Sequence, residues 1–111
     1  MSQTISSPSA FAEILEKASE QKVPVFLKFF GTFCPPCKQI APLFNQLAKQ
    51  NLQKGYFVSI NVQELPEVAE TFKVASIPAF VVIKNLKVVD SWKGANSALL
   101  TDKIKTYCVG R

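Results

Sequence analysis

Apolar and polar residues follow two rhythms along this chain. Val23-Pro24-Val25-Phe26-Leu27-Lys28-Phe29-Phe30 is a continuous apolar run broken by one lysine. That is the pattern of a strand buried on both faces. Tyr56-Phe57-Val58-Ser59-Ile60-Asn61-Val62 reads as a second strand, and residues 3–5 as a short one at the start. Ala79 to Ile83 and Val88 to Trp92 flank Lys84-Asn85-Leu86-Lys87, a hairpin signature. Between these runs the period changes to that of a helix. Phe11, Ile14, Leu15 and Ala18 share one face of a helix opened by Ser7-Pro8, with Pro8 suited to the first helical position. Ile40, Leu43, Phe44, Leu47 and Ala48 form the apolar stripe of a longer helix from about Cys34 to Asn51. Pro42 is expected to interrupt and kink it. Glu64 to Phe72 reads as a short helix, and Asn96 to Cys108 as a closing one with Ala98, Leu99, Ile104 and Tyr107 inward. The predicted order is β-α-β-α-β-α-β-β-α. Such an order builds an α/β fold, a central mixed sheet with helices on both faces.

Composition narrows the class. The 111 residues make one ordinary domain, with no linker, repeat or low-complexity tract to divide 1–111. Hydrophobic residues are 48% and charged residues 19%, a globular balance. The net charge of +5 comes from lysines scattered through the chain, such as Lys22, Lys54, Lys84, Lys87 and Lys103. A nucleic-acid binder gathers its basic residues on one face or in one run, so no nucleic-acid partner is expected. No stretch reaches the roughly 20 apolar residues that span a bilayer. Met1-Ser2-Gln3-Thr4 does not lead a basic region into an apolar one, so no signal peptide is expected and the expected location is the cytoplasm. Three cysteines cannot all pair within one chain. A reactive pair with one spare thiol fits a reducing compartment better than a structural disulfide framework does.

The chemistry lies in Cys34-Pro35-Pro36-Cys37, at the junction between the apolar strand and the long helix. A first thiol at a helix N-terminus meets unpaired backbone N–H groups and the positive end of the helix dipole, which stabilise a thiolate. The thiolate is the reactive form of cysteine. The second thiol lies one turn on, within reach of the first. Such a pair can attack a disulfide, form a mixed disulfide and resolve it internally.

These features together resemble the thioredoxin family over essentially the whole chain. The matching residues are the apolar strand, Phe33-Cys34-Pro35-Pro36-Cys37-Lys38, Pro42 in the following helix, Ile77-Pro78 before a strand, and Gly94 after the hairpin. The resemblance implies the thioredoxin fold and an enzyme that reduces protein disulfides through a Cys34/Cys37 dithiol–disulfide cycle. It implies Cys34 as the exposed nucleophile, Cys37 as the buried resolving thiol and Pro78 as the family's cis-proline. Phe33, Ile77, Pro78 and the loop at Gly94 would receive an extended substrate segment by β-augmentation. The implied partners are protein disulfide substrates and a thioredoxin-reductase-type recycling enzyme. The protein is expected to be a monomer with no cofactor and no metal.

The chain departs from the family pattern at four places. Phe33 stands where tryptophan is common, which keeps an apolar contact and loses an N–H donor. Pro35-Pro36 replaces Gly-Pro, and Pro35 offers no N–H to the thiolate. A leading proline is also a glutaredoxin feature, but Ser76-Ile77 precedes Pro78 instead of Thr-Val, which argues against a glutathione-specific site. Lys28 occupies the position of the family's buried aspartate, and Ser59 that of its lysine partner. Three readings of Lys28 are open. A protonated Lys28 would stabilise the Cys37 thiolate and make the disulfide more oxidising. A neutral one could accept the proton of Cys37. Its stem could instead carry the head to water, away from the chemistry. Cys108, the spare thiol, reads as a small buried hydrophobe, with a regulatory or dimerising role open if it is exposed.

Two other function classes compete. A non-redox binding module would use the groove at Ile77-Pro78 but has no need of both cysteines. A structural zinc site would need four Cys or His ligands, and the chain has three cysteines and no histidine. Within redox chemistry, a more oxidising disulfide oxidase or isomerase is the alternative to a reductase.

Overall fold

Strand β2 (Val25–Phe30) runs through the middle of the sheet, where a strand apolar but for Lys28 can bury both faces. The computed structural model describes residues 2–108. The other strands are β1 (Gln3–Ile5), β3 (Tyr56–Asn61), β4 (Ala79–Lys84) and β5 (Lys87–Lys93), and the sheet order is β1-β3-β2-β4-β5. Strands β1, β3 and β2 are parallel, while β4 and β5 run antiparallel to their neighbours. Helices α1 (Pro8–Gln21), α2 (Pro35–Gln50), α3 (Pro66–Thr71) and α4 (Ser97–Tyr107) complete the order expected from the sequence.

The two-residue alternation of β2 divides the core. Val25, Leu27 and Phe29 pack with Phe11, Ile14 and Ala18 of α1 and Val68 and Ala69 of α3. Phe26 packs on the other face with Ile40, Phe44 and Leu47 of α2 and Leu100 and Ile104 of α4. Each such side chain, fully buried, contributes about 1.5–3 kcal/mol, so the stripe of α2 is what fixes that helix on the sheet. Lys28 has the parity of Phe26 and enters this α2 layer. Its register partners are Ser59 on β3 and Phe80 on β4.

Capping follows the sequence closely. Ser7 caps α1 by accepting the Ala10 N–H, and Asn96 caps α4 by accepting the Leu99 N–H. Three expectations need correction. Helix α2 continues unbroken through Pro42. Pro42 lies on the exposed side of the helix, so the carbonyl it leaves without an N–H partner can face water. Helix α3 is shorter than expected, starting at Pro66 and ending before Phe72, with Lys73 in the left-handed region just after it. In α4 the inward stripe is Leu100, Ile104 and Cys108, spaced by four. Tyr107 is half-buried and packs against this core as expected, while Leu99 is half-buried and Ala98 exposed.

The β4–β5 hairpin turns through Asn85 and Leu86, both with positive φ, 53° and 65°. Two such residues make the turn that matches strand twist, and its second position prefers glycine. Leu86 is 61% exposed and so has little packing to lose. Leu86→Gly is therefore expected to stabilise the fold by about 0.5–1 kcal/mol. Urea unfolding checks it, and a lower midpoint would contradict this reading of the turn.

Candidate active site

The strand-to-helix junction positions Cys34 and Cys37. Cys34 is the N-cap of α2 in an extended conformation, and its carbonyl accepts the Lys38 N–H at 3.1 Å. Its Sγ accepts the Cys37 N–H at 3.2 Å and is bonded to Cys37 Sγ. Pro35 and Pro36 begin the helix and carry no N–H. Cys37 therefore supplies the only backbone donor that the first three helical residues can give to the Cys34 sulfur.

Cys34 is 5% exposed and Cys37 2%, so the expectation of an exposed Cys34 is corrected. The bond to Cys37 draws the Cys34 sulfur against the start of α2. The side chain that stands out is Phe33, at 90% exposure, one residue before the nucleophile position. An apolar ring this open beside a disulfide suits contact with a protein surface.

Two further contacts assemble the surroundings. The Ile77–Pro78 peptide is cis. Ile77 is half-buried, and its Cδ1 lies 2.7 Å from where a Cβ at Gly31 would sit, so the glycine allows β2 and the Ile77 loop to approach. The Gly94 N–H donates to the Pro78 carbonyl at 2.8 Å, and Gly94 has φ +98°, a conformation that favours glycine. Ile77, Pro78 and Gly94 are thus joined to one another and to the segment leading into Cys34.

That segment is held by residues the sequence reading did not single out. Gln63 Oε1 accepts the Thr32 N–H at 3.0 Å, and Asn61 Nδ2 donates to Thr32 Oγ1 at 3.4 Å. Asn61 Oδ1 accepts the Gln63 N–H at 2.8 Å, a local turn at the end of β3. The polar Asn-x-Gln at the end of an apolar strand was the available signal. Its partner thirty residues away was not.

Lys28 is 5% exposed. Its Nζ lies 5.5 Å from the Phe30 ring centre and 5.2 Å from that of Phe44. It makes no ion pair, and no hydrogen bond to either cysteine, among the described residues. Burial lowers its pKa, because the ammonium is the form that desolvation disfavours. Cys108 is buried and free, and burial pushes its thiol up to about 11, partly opposed by Lys54. It is therefore a thiol and an inert one at neutral pH. On the far side of the sheet edge, burial raises the Asp90 carboxyl. Hydrogen bonds from Lys103 (2.7 Å) and Tyr107 (2.9 Å) outweigh it and hold the pKa below its ordinary value, tying α4 to β5.

The family model described as Thioredoxin matches residues 2–106. Thioredoxin H4 of Arabidopsis thaliana is 43% identical over 90 residues, 81% of this chain and 76% of that protein. Thioredoxin 1 of Plasmodium falciparum is 35% identical over 107 residues, 96% of this chain and 98% of the other. The crystal structure of a poplar thioredoxin h superposes with a TM-score of 0.91 at 28% identity, covering 98% of this chain and 97% of that one. With a cysteine pair at disulfide distance capping the helix after the central strand, the chain belongs to the thioredoxin family of thiol–disulfide oxidoreductases.

Proposed function

We propose that this chain is a general reductant of protein disulfides with a Cys-Pro-Pro-Cys active site. It acts as a monomeric single domain over 1–111, in the cytoplasm, and is recharged by an enzyme of the thioredoxin-reductase class. The observation that carries the reading is Cys34 at the cap of α2, bonded to Cys37 and flanked by the open Phe33 ring. In the reduced protein, the Cys34 thiolate attacks one sulfur of a substrate disulfide. A Cys34–substrate disulfide forms, and the first substrate sulfur leaves as a thiolate that takes a proton from solvent. Cys37 then attacks Cys34 Sγ, and its proton passes to the departing substrate sulfur, directly or through solvent. The second substrate sulfur leaves, and the Cys34–Cys37 disulfide remains. Two electrons have moved from the thiolate–thiol pair to the substrate, with one proton from Cys37 and one from solvent. Phe33, Ile77, Pro78 and Gly94 hold the substrate segment while this happens. Among the described residues no helix is long and apolar enough to cross a membrane.

The direction of electron flow follows from the donors at Cys34. A disulfide is a strong oxidant when its reduced thiolate is heavily stabilised. Here both prolines withhold their N–H, leaving the one donor from Cys37, and the Lys28 ammonium lies against Phe30 and Phe44. Weak stabilisation favours a reductant over an oxidase or isomerase. In this reading Lys28 takes no proton from Cys37. Restoring a donor should reverse the trend. Pro36→Ala is expected to lower the Cys34 pKa and to raise the potential by about 15–30 mV, which a glutathione-buffer titration reads directly. An unchanged potential would show that donor number does not set the poise.

A further inference from the structure

A cavity of about 610 Å³ opens beside the sheet edge behind α2, apart from the cysteine pair. It is lined by Ser2, Thr4, Phe30, Asn45, Lys49 and Ser59, among others, and by Lys28. No carboxylate lines it. None could come from the adjoining segment either, because residues 21–63, which include β2, α2 and β3, hold no Asp or Glu. Lys28 is the unusual member. It is 95% withdrawn from solvent as a residue, yet its ammonium has no acid and no hydrogen-bond acceptor among the described residues. Among the described residues the fully enclosed side-chain donor without a partner is Trp92 Nε1 and not Lys28 Nζ, so the ammonium is not completely sealed off. Lys28 is a lining residue of this cavity, the opening next to its side chain.

We infer that this cavity is a binding site for a small oxyanion-bearing molecule, whose charged group pairs with Lys28. A cation largely withdrawn from solvent, with no protein acceptor about it, is poorly compensated, and an anion in the cavity would supply the missing charge and acceptors together. Lys49 adds a second positive charge at the lining. The Ser59 and Thr4 hydroxyls add donors, and so does the Asn45 amide, whose oxygen is already taken by Ser2 Oγ. Two lysines with neutral donors and no acid favour a doubly charged group such as phosphate over a single carboxylate. The phenyl faces of Phe30 and Phe44 hold the ammonium meanwhile, as a weaker substitute for an anion.

The test is a titration of the intact oxidised protein with inorganic phosphate, and separately with acetate, at constant ionic strength set by sodium chloride. Backbone amide shifts of Thr4, Asn45 and Ser59 report occupancy. Saturable phosphate binding with Kd of about 1–10 mM is expected. Lys28→Met should weaken it tenfold or more, and Lys49→Gln about threefold. Lys49 and Asn45 are exposed, so Lys49→Gln and Asn45→Ala test the site even where Lys28→Met disturbs packing. Saturation by acetate alone, lost in Lys28→Met, would uphold the site and assign it to carboxylates. Non-saturating shifts with both anions, or binding unchanged in Lys28→Met, would overturn it.

Discussion

The Cys34→Ser protein is expected to lose disulfide-reducing activity by about a thousandfold or more, since a hydroxyl at neutral pH is not a comparable nucleophile. Its fold should be intact, because serine is nearly isosteric and the core stripes of α2 do not include this residue. Cys37→Ser should behave differently. It keeps the first attack, lacks the second, and should accumulate a mixed disulfide between Cys34 and its substrate that a non-reducing gel resolves as a higher mass. The contrast assigns the two roles, which loss of activity alone does not. Cys34→Ser retaining more than about a tenth of the activity would mean the nucleophile has been misplaced, whatever the state of Cys37.

Lys28→Met is expected to make the protein more stable by about 1–3 kcal/mol at neutral pH in phosphate-free buffer. Methionine has nearly the shape of the lysine stem and suits an irregular apolar site. The substitution removes the desolvation of an unpaired ammonium and forfeits contacts with the Phe30 and Phe44 faces, worth about 0.5–2 kcal/mol. The net gain stays modest because the ammonium is not completely sealed off. The pH dependence fixes the cause. Burial lowers the folded pKa of Lys28 below its ordinary 10.5, so the folded state holds this proton less tightly than the unfolded chain. The penalty in the wild type is therefore complete below the lowered pKa and fades as pH rises towards 10.5. The advantage of Lys28→Met should shrink over that same range. Denaturant unfolding of both proteins from neutral to alkaline pH reads it. A variant less stable than wild type at neutral pH, or an advantage independent of pH, would show that the charge is not what burial disfavours.

Local patterns carried most of the fold. The apolar run became an interior strand because five of six residues in β2 are buried, a demand that edge strands do not meet and that its neighbours β3 and β4 share. Ser7-Pro8 and the Cys34-Pro35-Pro36-Cys37 junction were legible because capping and proline rules act over three or four residues. The errors lie where neighbours outside that window decide. Pro42 does not break α2, because packing of Ile40, Phe44 and Leu47 holds both halves on the sheet while the proline faces outward. The inward face of α4 is set by its crossing against α2 and the sheet, so Leu100 replaces Ala98 there. Around the cysteines, the motif named Cys34 and Cys37. It could not name Gly31 against Ile77, or Asn61 and Gln63 against Thr32, which are contacts between distant segments. The low exposure of Cys34, in the state bonded to Cys37, was illegible too. For Lys28 the sequence left three readings open. The direction of its head was decided by Phe44, sixteen positions along the chain.

The most direct test of the reducing assignment is the equilibrium of the Cys34–Cys37 pair against a graded glutathione buffer, read by alkylation and mass shift. One backbone donor at the Cys34 sulfur predicts a potential of about −250 to −290 mV, at the thioredoxin end of the scale. A potential near −180 mV or higher would mean that the thiolate is strongly stabilised after all, and would contradict the assignment of this chain as a reductant.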